Sequence, residues 1–123
     1  MIDLRQQMAA TLERTGADVR MEKPDTFQDI DRGLVVYAET ENRPLDPWTD
    51  LQSYDVTVYA PTFASAVDLC KRVDDLVSGE AGWRRDRKSS DASARLSQDV
   101  YSFKLSYSAK ILTDGVLIVR NGL

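Results

Sequence analysis

Few residues in this chain have both the type and the spacing to carry chemistry. Cys70 is the single cysteine, and there is no histidine. A thiol nucleophile needs an adjacent base or cation to ionise it. Cys70 instead falls mid-pattern between Leu69 and Val73 on an apolar stripe, which reads as a small buried hydrophobe. Without histidine, the Ser-His-Asp triad, the Cys-His dyad and His-based metal sites are all excluded. Asp74 and Asp75 are adjacent, so on a helix they point about 100° apart and do not converge on one ion. They read as a solvated helix face, with Lys71 placed to pair with Asp75. Asp25, Asp29, Asp31, Glu39, Glu41, Asp46 and Asp50 are the carboxylates that a hydrolase or nuclease would draw on, but no fixed motif links them. No Gly-rich phosphate loop is present. Catalytic residues, metal ligands and cofactor sites are therefore all expected to be absent, and the chain reads as a non-enzyme.

Recognition chemistry is better represented. Arg84, Arg85, Arg87, Lys88 and Arg95 form the one local basic excess, against Asp86 and Asp91, in a chain of net charge −4. A basic loop on an acidic body suits charge complementarity between neighbouring copies, or contact with phosphate. Trp48 lies in a proline-containing loop and Trp83 at a loop edge beside the basic stretch, so neither is easily buried inside one domain. Aromatic residues and arginine are enriched in protein interfaces. Trp48, Trp83, Arg84, Arg85, Arg87 and Lys88 are thus the candidate interface residues.

The elements that must position these groups follow from periodicity. Leu4, Met8 and Leu12, with Ala9 beside them, mark a helix over 3–15, with Asp3 as N-cap and Gly16 as C-terminal cap. Residues 17–32 form a connector with a short extended piece at 19–21. Residues 34–39 (LVVYAE) are a strand whose two faces both start apolar. Pro44 and Pro47 make residues 40–50 a loop. Residues 51–59 form a half-buried strand with Tyr54, Val56 and Val58 on its inner face. Ala66, Leu69, Cys70, Val73, Leu76 and Val77 mark a second helix, capped by Thr62 and ended by Gly79. Residues 82–99 read as a long polar loop or a hairpin tip. Tyr101, Phe103, Leu105, Tyr107, Ala109 and Ile111 line one face of a long strand. Asp114-Gly115 then turns into a last strand over 116–120.

The order α-β-β-α-β-β gives one α+β domain over 1–123, a single mixed or antiparallel sheet with two helices. A chain of 123 residues buries enough surface to fold without disulfides. No apolar run approaches the ~18 residues of a membrane helix, no signal peptide is visible at the start, and no membrane contact is expected.

Several of these segments together look familiar. A short first helix, the VVYAE strand, a Pro-containing loop, the run YDVTVYAPTFASAVDLCKRVDDLV and the late strand YSFKLSYSAKI resemble the tail terminator (tail completion) proteins of long-tailed bacteriophages. The resemblance spans about residues 3–112. It implies a structural virion protein, assembled in the host cytoplasm, that forms a homohexameric ring at the head-proximal end of the tail. The ring ends tail polymerisation and offers the surface for head–tail joining. The implied partners are further copies of the chain, the tail-tube protein and head–tail connector proteins, with DNA only in transit through the lumen. Some terminators stay monomeric until they meet a tail. The alternatives are a head-completion or head–tail connector protein and, further off, a small nucleic-acid-binding or hydrolase domain.

Overall fold

The computed structural model describes residues 4–24, 30–80, 83–85, 94–97 and 100–112. The expected N-cap Asp3, the Asp114-Gly115 turn and the strand over 116–120 lie outside the described residues. The elements run α1 (Leu4–Glu13), β1 (Asp18–Arg20), β2 (Leu34–Pro44), β3 (Thr49–Ala60), α2 (Phe63–Glu80), β4 (Arg84–Arg85), β5 (Ala94–Ser97) and β6 (Val100–Leu112). The class is α+β, with one mixed sheet and two helices. The expected order is corrected in two places. The connector after α1 holds a true strand, and the stretch 82–99 holds two more.

The sheet order is β1-β2-β3-β6-β4, with β5 also paired to β6. β1 runs parallel to β2, and every other pairing is antiparallel. β4 and β5 form because the thirteen-residue β6 presents a long second edge, and strand pairing satisfies backbone groups there. Polar composition alone does not reveal this, since edge strands tolerate charge.

β3 and β6 pair without interruption from Thr49–Leu112 to Ala60–Tyr101. Tyr54, Val56, Val58, Leu105, Tyr107 and Ile111 all fall on one face and are at most 1% exposed. α2 closes that face with Ala66, Leu69, Val73 and Val77, as its spacing predicts. α1 adds Met8 and Leu12. Leu34 and Val35 are both buried on opposite faces of β2, again as expected. Val35 joins the main core, while Leu34 packs with Tyr59 and Val100 on the other side.

The helix ends are set by specific groups. The Ser65 backbone N–H donates to Thr62 Oγ1 at 3.1 Å, which makes Thr62 the cap of α2. α2 runs through Gly79 to Glu80 instead of stopping before the glycine, a correction to the expected end. α1 closes on Gly16, whose φ of +84° suits a residue without Cβ. The Arg72 guanidinium donates to the Thr15 carbonyl, so α2 caps the end of α1 across the interface. Asp18 pairs with Arg32 at 3.0 Å and ties β1 to the turn entering β2.

Two further boundaries move. β2 continues to Pro44 and β3 begins at Thr49, so the expected loop over 40–50 shrinks to residues 45–48. Proline is compatible here because β1 pairs with β2 only over Leu34–Val36, leaving the rest of β2 as an edge.

Gly33 has φ of +85°, and a Cβ there would meet Leu69 Cδ2 at 2.6 Å. Gly33→Ala combines backbone strain with displacement of a core leucine. It is expected to lower stability by ~2 kcal/mol, read from the urea midpoint at unchanged m-value.

Candidate interaction surface

β2 leaves the core early, while β3 stays paired with β6 as far as Thr49. From Ala38 to Trp48 no side chain is buried, and none belongs to the main core. The register slips at a bulge between Glu39 and Glu41, and Glu41 pairs with Arg43 beyond it. A bulge, charges and Pro44 are the usual means of keeping a free edge from pairing with other strands. The tip between β2 and β3 therefore presents side chains more than backbone.

Asp46 organises that tip. Its Oδ1 accepts the backbone N–H of Trp48 and of Thr49, both at 2.8 Å. The Leu45 N–H donates to the Thr49 carbonyl at 2.9 Å. This is an Asx-type turn, in which a short carboxylate replaces a backbone acceptor. Hydrogen bonding from the Thr49 side chain, then from the Trp48 N–H, holds the Asp46 carboxyl below the ordinary aspartate range. The turn fixes Trp48 with 74% of its surface exposed, beside Leu45 at 38%.

The expected interface residues separate in the structure. Trp48 is at the surface. Trp83 is not: it is 2% exposed and meets the Tyr54 ring edge-on, with centroids 5.2 Å apart. This corrects its reading as a partner-facing residue. Its burial comes from the β4–β6 pairing, which carries residue 83 under the sheet, a tertiary effect no local pattern reveals. Its indole N–H is the buried side-chain polar group without a hydrogen-bond partner among the described residues.

Arg84 and Arg85 are exposed, but they point to opposite sides. Arg84 lies opposite Ser108, on the sheet face away from the helices. Arg85 lies opposite Tyr107 on the helix-facing side, and its Nη1 is 3.7 Å from Asp74 Oδ2. Arg85 therefore also ties β4 to α2. Arg87 and Lys88 lie outside the described residues, as do Asp25 and Asp29.

The expected placement of Asp74 on a solvated helix face is corrected as well. The residue is half-buried. It accepts the Tyr107 hydroxyl at 2.9 Å and the Ser78 hydroxyl at 3.1 Å, and it faces Arg85. The available signal was Tyr107 itself, an inward-facing tyrosine whose hydroxyl needs a partner. Burial, reinforced by the bond to Asp74, pushes the Tyr107 phenol far above its usual range.

On the open sheet face, Asp55 accepts the Ser106 hydroxyl at 2.7 Å and pairs with Lys104 at 2.9 Å. The remaining chemistry-bearing groups stay apart. Cys70 is half-buried and packs against the core from α2. Among the described residues, no group of three His, Cys, Asp or Glu side chains is placed to hold a metal ion. Among them too, no helix is long and apolar enough to cross a membrane. No model of a known protein family matches the chain, and no curated protein matches it either.

Two pH effects follow. Protonating Asp46 removes the acceptor of the tip, so the turn is intact above the ordinary aspartate pKa and opens as pH falls through the lowered value. The Trp48 and Thr49 amide resonances are expected to titrate together in acid, and Asp46→Asn to blunt that transition. At the alkaline end, the raised Tyr107 pKa makes stability complete below pH ~10 and lost as pH rises further. Tyr107→Phe is expected to cost ~1.5 kcal/mol at neutral pH and to reduce the alkaline loss in denaturant titrations. Burial also raises Tyr59, so part of that loss persists.

Proposed function

We propose that this chain is a structural virion protein of the tail-terminator type, which assembles as a ring on the head-proximal end of a phage tail tube, ends its polymerisation and offers the surface for joining the head. The observation that carries this reading is the tip between β2 and β3: a hydrogen-bonded turn that leaves a tryptophan exposed, at the end of a sheet whose free β2 edge carries a bulge and a proline. A large aromatic on a turn whose backbone is already ordered saves part of the ordering cost on docking and brings a large apolar area to a partner. The two-layer α+β body supports the reading by supplying a stable frame.

In this reading the protein acts by occupying surfaces. A ring needs two different complementary patches on each copy, since a head-to-tail contact closes only when the rotation between copies does. Tube subunits would add to the ring's distal face no further, and DNA would pass through the open centre.

The test is electron microscopy of tail tubes incubated with the purified chain. Six-membered rings with an open centre at one tube end, together with arrest of further growth, are expected. Absence of tube-end binding, with binding to portal or adaptor complexes instead, moves the protein to a head–tail connector role. Binding to free DNA that weakens steeply with salt and vanishes in the Arg84→Ala, Arg85→Ala, Arg87→Ala triple variant overturns the structural reading in favour of a nucleic-acid binder.

A further inference from the structure

Trp83 sits in the core on terms unlike those of its neighbours. Its ring is 2% exposed and meets Tyr54 edge-on, yet its indole N–H is buried with no acceptor. A buried donor without a partner forfeits the bond that water would give it. The seat is therefore less favourable than burial of the ring alone suggests, and such an orphan donor calls for an explanation.

The segment that carries Trp83 is lightly held. β4 is two residues long and pairs with β6 at Ser108 and Tyr107, whereas β3 pairs with β6 along all twelve of its residues. Both β4 side chains are exposed. The Arg85–Asp74 ion pair spans 3.7 Å, with 40% and 35% of the two side chains open to solvent. A long, solvated ion pair adds little to stability.

The groups that Trp83 and Arg85 touch keep other partners. Asp74 meets Arg85 at Oδ2, while the Tyr107 and Ser78 hydroxyls both donate to Oδ1. When Arg85 leaves, water reaches Oδ2 and no buried charge is stranded. Tyr54 keeps the Tyr37 ring at 6.5 Å and donates its hydroxyl to Glu39 at 3.4 Å. Its backbone stays in the β2–β3–β6 ladders. Withdrawal of residues 83–85 thus breaks a two-residue ladder and one apolar contact surface.

We propose that Trp83–Arg85 is a strap that lifts from the body as one unit while β2, β3, β6 and both helices stay folded. The orphan N–H biases the strap toward opening, because it gains a water partner when the ring leaves its seat. The apolar area of the ring and its contact with Tyr54 hold the strap shut. Lifting bares the Tyr54 ring and the β6 backbone at Tyr107 and Ser108, an edge whose capacity to take a strand β4 itself displays. The strap belongs to the body and does not depend on the ring reading.

The experiment is native-state hydrogen exchange by NMR on the full chain, over urea concentrations below the unfolding transition. The two tryptophans give two indole N–H signals, and Trp48→Phe identifies each. The Trp83 indole N–H is compared with the amides of Val56 and Val58, which lie in the central strand β3. Its protection factor is expected to be at least about a hundredfold lower than theirs and nearly flat in urea, since local opening exposes little surface. Protection of Val56 and Val58 is expected to fall steeply. Arg85→Gln is expected to lower Trp83 protection about threefold further, leaving Val56 and Val58 unchanged.

Trp83 exchange with the protection and urea slope of Val56 and Val58 overturns the proposal, because the ring then leaves only on global unfolding. Equal Trp83 protection in wild type and Arg85→Gln overturns it too, because ring and guanidinium then open separately. Arg85 is exposed, so the variant is expected to fold, which circular dichroism checks. The wild-type comparison needs no substitution at the strap.

Discussion

The register of β3 against β6 is the constraint on which the rest of this structure depends. Side chains alternate along a strand, so a slip of one residue would turn Tyr54, Val56 and Val58 to solvent and bring Asp55 and Thr57 beneath α2. The cost of burying Asp55 away from Lys104 and Ser106 adds to the loss of apolar burial. This one pairing fixes where Tyr107 meets Asp74, and hence where α2 lies on the sheet. It also fixes which of the two β4 arginines turns toward the helix, since Arg85 takes its face from Tyr107.

From that register the molecule divides into two regimes. Over the Tyr37 to Tyr54 end, aromatic rings interlock: Tyr54 contacts both Tyr37 and Trp83, and both helices close over the same face. Beyond Tyr37, β2 has lost β1 as a neighbour, and that end of the sheet is held by the β2–β3–β6 ladders and by the Asp46 turn. The body thus takes its order from packing and the tip from hydrogen bonds. The proposed recognition role falls on the second regime, where hydrogen bonds order the backbone without burying the side chain it carries.

The sequence carried the body well and the edges poorly, for physical reasons. Three-four spacing in α2 and strict alternation in β3 and β6 each report burial of one face, so Leu69, Val73, Val56 and Leu105 were legible as core. Short edge strands carry no such signal. Arg84–Arg85 and Ala94–Ser97 pair through backbone groups that are the same for any residue, so a polar stretch hid them. Trp83 followed them into the wrong class, because its burial is set by a neighbour distant in sequence. Pro44 misled in the opposite direction: it marks a free edge here, not the end of a strand. Of the interface candidates, Trp48 lies at the surface in a turn whose Asp46 was legible only as one more scattered carboxylate.

The division between body and tip has a consequence for how such a chain can change over generations. Substitutions at Tyr54, Leu105 or Val73 must be compensated by neighbours, because a close-packed interior transmits every change in volume. Leu45 and Trp48 carry less of that demand, since both are exposed and neither belongs to the core. The proposed recognition surface can therefore vary while the fold stays under separate constraint, one residue at a time.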